Sequence, residues 1–385
     1  MATPPIRGDC DPGFERVREA FRENFDQRDE IGAAVAVTRD GEPVVDFWTG
    51  HADPARTRPW QRDTLVHLYS TTKGLTALCA HRLADQGKLD LDTPVAHVWP
   101  EFAQAGKGEI PVRWLLDHRA GLPALRETQP PAQIYDWDAM CGALEAEAPW
   151  FPPGEEIAYE AVTFGWLVGE VVRRVSGRTV GHYLRDEIAG PLGADVHNGL
   201  GDAEIRRCAD IGALPVPDDL ATDGEGDPFT TLPLIAFVNP TGTGDHNSEA
   251  HRRAEIPAIN GHATARGLAR IYGALIRGAS QDGVTLLSPE AVDRLHVEGS
   301  SGTDRTQGIE IRFGPGFMLN PTAPDTEPLY TRSPRCFGHN GAGGSVAFAD
   351  PDTGLGFAYV CNRLGPHLDT DPRARALIAA CEESL

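Results

Sequence analysis

Lysine is nearly missing from this chain. Among 385 residues and 35 basic side chains, only Lys73, Lys88 and Lys107 are lysines; the other basic residues are arginines. No window approaches the ~18 unbroken apolar residues of a membrane span, so a transmembrane protein is not expected. The first residues, "MATPPIRGDCDPGFERVREAF", show no basic stretch followed by an apolar one, and the expected compartment is the cytoplasm. Seven cysteines (10, 79, 141, 208, 336, 361, 381) are scattered without a CxxC pair, which reads as reduced, buried thiols rather than a disulfide framework. Positive charge is short as well. A formal charge of −21 without a local basic patch argues against a nucleic-acid partner. HExxH and other tight His/Cys spacings are absent, so no metal is expected, and no cofactor. "GTGDHN" at 242–247 lacks the third glycine and the strand-to-helix setting of a dinucleotide loop. GxSxG, the nucleophile elbow of ordinary α/β-hydrolases, is absent too. Ser345 follows Gly343-Gly344 but sits where a strand should start, which makes it a poor rival nucleophile.

What is present is an ordered alternation of elements. Phe14, Val17, Phe21 and Phe25 mark an amphipathic helix over 14–29. "AAVAVTRDGEPVVDFWTG" reads as a hairpin turning at Asp40-Gly41. A second hairpin is expected near the C-terminus around "DPDTG" (350–354), followed by a closing helix over 373–383. Between the hairpins the signals are helical. They cover 73–86 with a stop at Gly87, 112–118 before Gly121, 163–175 before Gly177, and 266–277. The stretch 213–258 is rich in Pro, Gly, Asp and Thr without a sustained period, and reads as a long loop forming a lid or wall. Strands at both ends can share one antiparallel sheet only if the middle is a helical insertion. The expected class is therefore α+β: residues 1–66 and 265–385 form the sheet-bearing domain, and 67–264 a mainly helical one.

"HLYSTTKGLTAL" (67–78) sets Ser70 one turn ahead of Lys73. On a helix that starts near Ser70, residues i and i+3 share a face. The Ser70 backbone N–H is then among the groups without an intrahelical partner, free to donate to a developing oxyanion. A serine hydroxyl is a weak nucleophile that needs a base. Lysine can serve once burial or a neighbouring charge lowers its pKa; arginine cannot. The plain alternative is a helix cap beside a solvated lysine.

Around that motif the chain resembles the serine β-lactamase and penicillin-binding-protein superfamily, and within it the esterase branch, the family VIII carboxylesterases. The resemblance rests on Ser70-Thr71-Thr72-Lys73, "VRWLLDHRAGLP" (112–123), "FPPGEEIAYEAVTFGWLVGEVVRRVSG" (151–177), "AEIPAINGHATARGLARIY" (254–272) and "FGHNGAGGSVAFADPDTGLGFAYVCNR" (337–363). It implies a β-lactamase/transpeptidase-like fold with the active site in the cleft between the two domains. It implies Ser70 as acylated nucleophile, Lys73 as base and Tyr159 as the partner that hands a proton to the leaving group. His339-Asn340-Gly341 corresponds to the third motif, on an edge strand lining the site, and Ala342 supplies the second oxyanion amide beside that of Ser70. A phenol near pKa 10 would need Lys73 as a nearby cation to reach a useful range.

Two departures bear on substrate. Tyr159-Glu160-Ala161 ends without the usual asparagine that holds a substrate amide, and His339 stands where a lysine usually attracts the β-lactam carboxylate. Both weaken penicillin-type recognition and leave acyl transfer intact, so a small neutral ester is the expected substrate. The same site could serve an acyltransferase or an amidase. A catalytically silent binding module on this fold is the reading of a different class, and would be expected to have lost Ser70, Lys73 or Tyr159. Tyr135, Trp137, Trp150 and Phe151 are candidate pocket walls or ordinary packing.

Overall fold

A computed structural model describes residues 4–215, 232–239, 245–276, 283–323, 325–367 and 369–385. Its frame is a nine-stranded antiparallel sheet. In spatial order the strands are Arg7–Cys10, Glu42–Gly50, Gly32–Arg39, Leu355–Cys361, Val346–Asp350, Phe337–Asn340, Phe317–Leu319, Glu310–Gly314 and Ser300–Thr303. The two expected hairpins are therefore joined directly: Leu355–Cys361 pairs with Gly32–Arg39 along its whole length. At the first turn Asp40 (φ 50°) and Gly41 (φ 87°) are both left-handed, as the two-residue hairpin that matches strand twist requires.

Side chains alternate across this sheet with period two. Val35, Val37, Phe357 and Tyr359 point into one cluster, with Phe14, Val17 and Phe21 of the first helix region and Leu377 and Ile378 of the last helix, Pro372–Glu382. Ala36, Ala358 and Val360 face the opposite way, into the main core. There the helix Ala265–Gly273 lies so close that a Cβ on Gly356 would sit 2.4 Å from the Gly273 nitrogen. Small residues on this face let the helix approach; aromatic ones on the other fill the space beneath the terminal helices.

The central helices fall where the periodicity puts them, at Thr72–Asp85, Val112–Leu116, Phe164–Ser176 (closed by Gly177 at φ 71°) and Ala265–Gly273. A second sheet of three short strands, with Gly261–Ala263 between Val66–His67 and Val196–Asn198, ties the region before Ser70 to the segment 254–272. The stretch 213–258 is not one long loop. It contains the helix Leu232–Val238 and the helix Glu249–Arg253, whose Ser248 cap accepts from the His251 N–H, while 216–231 and 240–244 lie outside the described residues. Both helices are too short for a period to register in the sequence.

Phe337–Asn340 also departs from expectation. It is not an edge strand but lies inside the sheet. On that side only Phe337 and Gly338 pair with the neighbouring strand Phe317–Leu319, so His339 and Asn340 run past the end of that strand. The motif thus has a free side without lying on an outer strand.

Candidate active site

Ser70 sits in a single tight turn, Tyr69–Thr71, that feeds the helix Thr72–Asp85. The turn is held from several sides. Leu68 N–H donates to Gly261 O (2.9 Å), and Gly261 N–H donates to Thr72 Oγ1 (2.8 Å). Ser345 Oγ donates to Leu68 O at 2.7 Å and lies 3.2 Å from Thr71 Oγ1. Ser345 is thus a clasp whose hydroxyl is already committed, not a second nucleophile. Gly341 passes against the same turn; a Cβ there would lie 2.2 Å from both Leu68 O and Ser345 Oγ. Tyr69, just before the nucleophile, is left-handed at φ 46°. For a non-glycine residue that costs about 1–3 kcal/mol, a strain commonly stored at functional sites.

Lys73 is wholly buried, and its side-chain nitrogen has three oxygen neighbours: Ser70 Oγ at 3.1 Å, Ala161 O at 2.7 Å and Ala258 O at 3.1 Å. Carbonyl oxygens only accept, so two N–H bonds are directed at Ala161 and Ala258. The remaining tetrahedral position points at the serine. In the neutral amine that position is a lone pair. Burial pushes the Lys73 pKa well down, with Glu160 acting in the opposite direction.

Tyr159 lies over the same cluster, with Lys73 Nζ 4.8 Å from its ring centre. Its ring stacks on Phe313 (6.2 Å, 1°) and neighbours His118, Phe237 and His339. Its backbone N–H donates to the buried carboxylate of Asp304 at 2.6 Å. Burial raises the phenol pKa, and the adjacent Ser70 hydroxyl only partly opposes this. Burial is the largest influence on both groups and acts on each towards its uncharged form, an amine beside a phenol, where the sequence suggests a lysine cation lowering the phenol pKa.

His339 is neutral for the same reason. Its pKa falls to about 3 through burial, then through Lys73. Asn340 O lies 2.7 Å from His339 Nδ1 and can only accept, so the proton is on Nδ1 and Nε2 carries a lone pair. Nε2 has no hydrogen-bond partner among the described residues. An imidazole in this state cannot attract a carboxylate. Asn340 Nδ2 donates to Thr370 Oγ1 (3.0 Å), which fixes that side chain in the wall.

Residue reading alone missed Glu160 and His118. Glu160 is buried and neither carboxyl oxygen has a hydrogen-bond partner among the described residues. Burial, with Asp117 nearby, raises its pKa well above the carboxylate range despite Lys73. Its Oε2 comes within 3.5 Å of His118 Nδ1, but this is not an ion pair. That nitrogen already accepts the Glu160 backbone N–H at 3.2 Å, and burial keeps the ring uncharged. A native carboxyl that keeps its proton where the unfolded chain has lost it makes stability fall as pH rises from the ordinary carboxyl range to the raised value, and level off above it. Glu160→Gln keeps the shape without the titration. Its melting temperature relative to the parent chain is expected to climb as pH rises from the ordinary carboxyl range towards the raised Glu160 value; a constant difference would show that the carboxyl is ionised throughout.

The other expected wall residues are engaged within the protein. Trp137 Nε1 donates to Glu170 Oε2 (2.7 Å). Trp150 Nε1 donates to Ala124 O (2.9 Å), under the Arg126 guanidinium. Phe151 contributes its carbonyl to the packing against Gly121. Elsewhere, a groove of about 860 Å³ at the sheet edge is lined by Arg62, Arg266 and Cys10 among others, but both arginines pair with Asp46, and burial and Glu15 push the Cys10 thiol pKa up, away from the reactive thiolate. The absence of metal-ligand spacing in the sequence also concealed a histidine cluster, His67, His246 and His251, which the fold gathers beside Tyr69.

Residues 17–382 match the family described as beta-lactamase. The chain belongs to the beta-lactamase family. Within this family it is 38% identical to the esterase/beta-lactamase LipL of Mycobacterium tuberculosis over 384 residues, 95% of this chain and 85% of that one. A penicillin-binding protein homologue from Caulobacter crescentus superposes with a TM-score of 0.90 at 44% identity, covering 99% of this chain and 100% of the other. The crystal structure of a family VIII carboxylesterase also gives a TM-score of 0.90, at 39% identity over 99% of this chain and 100% of the other. The fold is thus that of the beta-lactamase and penicillin-binding proteins, as the motifs implied. No helix among the described residues is long and apolar enough to cross a membrane.

Proposed function

We propose that the chain is a serine carboxylesterase that cleaves small esters through an acyl-enzyme on Ser70. The observation that carries this reading is the Lys73 nitrogen, 3.1 Å from Ser70 Oγ with two carbonyls taking its N–H bonds. The names of the relatives agree: an esterase/beta-lactamase and a family VIII carboxylesterase.

The reaction follows from these positions. The Lys73 lone pair takes the Ser70 proton as Oγ attacks the ester carbonyl. The oxyanion forms between the backbone N–H groups of Ser70 and Ala342; the close approach of Gly341, the residue before Ala342, to the carbonyl of Leu68, two residues before Ser70, supports this pairing. Tyr159 passes its proton to the departing alkoxide and is reprotonated from Lys73, so no net charge is left in the buried cluster. Water then repeats the sequence in reverse on the acyl-enzyme. The cleft lies between a sheet domain of residues 1–66 and 265–385 and a helical domain of 67–264. In this reading His339, Asn340 and Gly341 form its strand wall, and Trp137, Trp150 and Phe151 back its helical wall through the contacts that engage them within the protein.

A neutral His339 gives a lactam carboxylate no cation to meet. Turnover of p-nitrophenyl butyrate should therefore exceed that of nitrocefin in kcat/KM by at least about 10²-fold, the scale of one missing charge-assisted contact. Comparable rates on both substrates would refute the ester preference.

A further inference from the structure

Three histidines meet behind the nucleophile turn, and ester cleavage uses none of them. His67 lies in the short strand Val66–His67, His251 in the helix Glu249–Arg253, and His246 just ahead of that helix. His67 Nε2 and His251 Nε2 are 3.2 Å apart, and His246 Nδ1 is 3.3 Å from the same His251 nitrogen. All three nitrogens fall within 4.8 Å of one another. A tetrahedral zinc ion with bonds of about 2.0–2.1 Å sets neighbouring nitrogens roughly 3.3 Å apart. His67 and His251 are buried and held by the fold, while half-buried His246 leaves an approach from solvent. Burial, together with His262 and Arg252, favours uncharged imidazoles, the form that binds metals. Arg252, the nearby cation, is itself engaged by Asp210 Oδ1 at 2.7 Å and Ala209 O at 3.2 Å.

We propose that His67, His246 and His251 form a site for a divalent transition ion of the Zn²⁺ or Co²⁺ class, with water in the fourth position, and that filling it slows the ester reaction. Imidazole nitrogens suit these ions, whereas Mg²⁺ and Ca²⁺ prefer oxygen. The link to activity runs through one hydrogen bond. His67 Nδ1 accepts the Tyr69 N–H at 3.3 Å, so the ring's proton is on Nε2. An ion on Nε2 takes that place, and the proton transfers through solvent to Nδ1, which can then no longer accept. Tyr69, left-handed at φ 46° immediately before Ser70, loses a bond that holds it there. The ion is thus an inhibitor, not a cofactor. The site itself stands apart from the ester reading; only its effect on turnover rests on it.

The test is titration of the chelator-treated full chain with Co²⁺, followed by visible absorption without substrate, beside calorimetry with Zn²⁺. One ion per chain with the intense absorption of tetrahedral cobalt is expected. His246→Ala, at a half-buried position, should lose that band while keeping its melting temperature and its metal-free turnover of p-nitrophenyl butyrate. Saturating Zn²⁺ should slow the parent chain at least tenfold and leave His246→Ala unaffected. No stoichiometric binding, or the same binding in His246→Ala and His251→Ala, overturns the site. Binding with unchanged turnover supports the site and overturns its link to Ser70.

Discussion

Ser70→Ala is expected to lower kcat on p-nitrophenyl butyrate by at least about 10⁴-fold, the scale on which nucleophile removal acts in serine hydrolases. The residual rate would come from binding and the oxyanion amides alone. The substitution deletes one half-buried hydroxyl, and the turn keeps its Leu68, Thr71 and Ser345 bonds, so the melting temperature should barely move. That separation of activity from stability is the informative part. A variant that melts like the parent and still turns over would transfer the nucleophile elsewhere.

Lys73→Arg should cost nearly as much, about 10³–10⁴-fold, although it is the usual conservative exchange of one basic residue for another. Arginine has no lone pair to offer at any accessible pH. Its planar fork also cannot satisfy Ala161 O, Ala258 O and Ser70 Oγ from the single point where Nζ lies. Lys73→Met serves as the control for volume. The pH profile of the parent chain carries the matching signature. Activity needs the unprotonated amine, so kcat/KM should rise as pH climbs through the lowered Lys73 pKa, far below the usual lysine range. It should then hold into alkaline solution, because burial raises the Tyr159 pKa and keeps its proton available. Spectrophotometric rates on a neutral ester across pH give both limbs. An acidic limb at an ordinary lysine pKa would contradict the neutral-amine mechanism.

These roles were legible in the sequence to very different degrees. Ser70 and Lys73 stand three residues apart, and helical geometry alone places them on one face. The hairpins announced themselves through alternation and Asp40-Gly41, and the long helices through period and a closing glycine. The strands Ser300–Thr303, Glu310–Gly314 and Phe317–Leu319 did not: they are three to five residues long and carry too little pattern to read. Ala258 O and Asp304 are held next to Lys73 and Tyr159 by tertiary contacts across 185 and 145 residues, and no local signal marks them. Glu160 carries no mark in the sequence beside Ala161, which stands where the asparagine is missing; that the Glu160 carboxyl is buried and unpartnered among the described residues is a property of packing. Electrostatics misled for the same reason. A lysine cation lowering a tyrosine pKa is sound in a wet cleft, whereas here desolvation is the largest influence on each group, lowering the Lys73 pKa and raising that of Tyr159.

The most direct measurement is to trap the covalent intermediate. The protein is mixed with p-nitrophenyl butyrate, quenched in acid during steady turnover, digested and mapped by mass spectrometry. A butyryl group on Ser70 and on no other residue, absent from Ser70→Ala, is the result expected. A butyryl group on Ser345 or another side chain, or continued turnover with no acylated residue at all, would contradict the account.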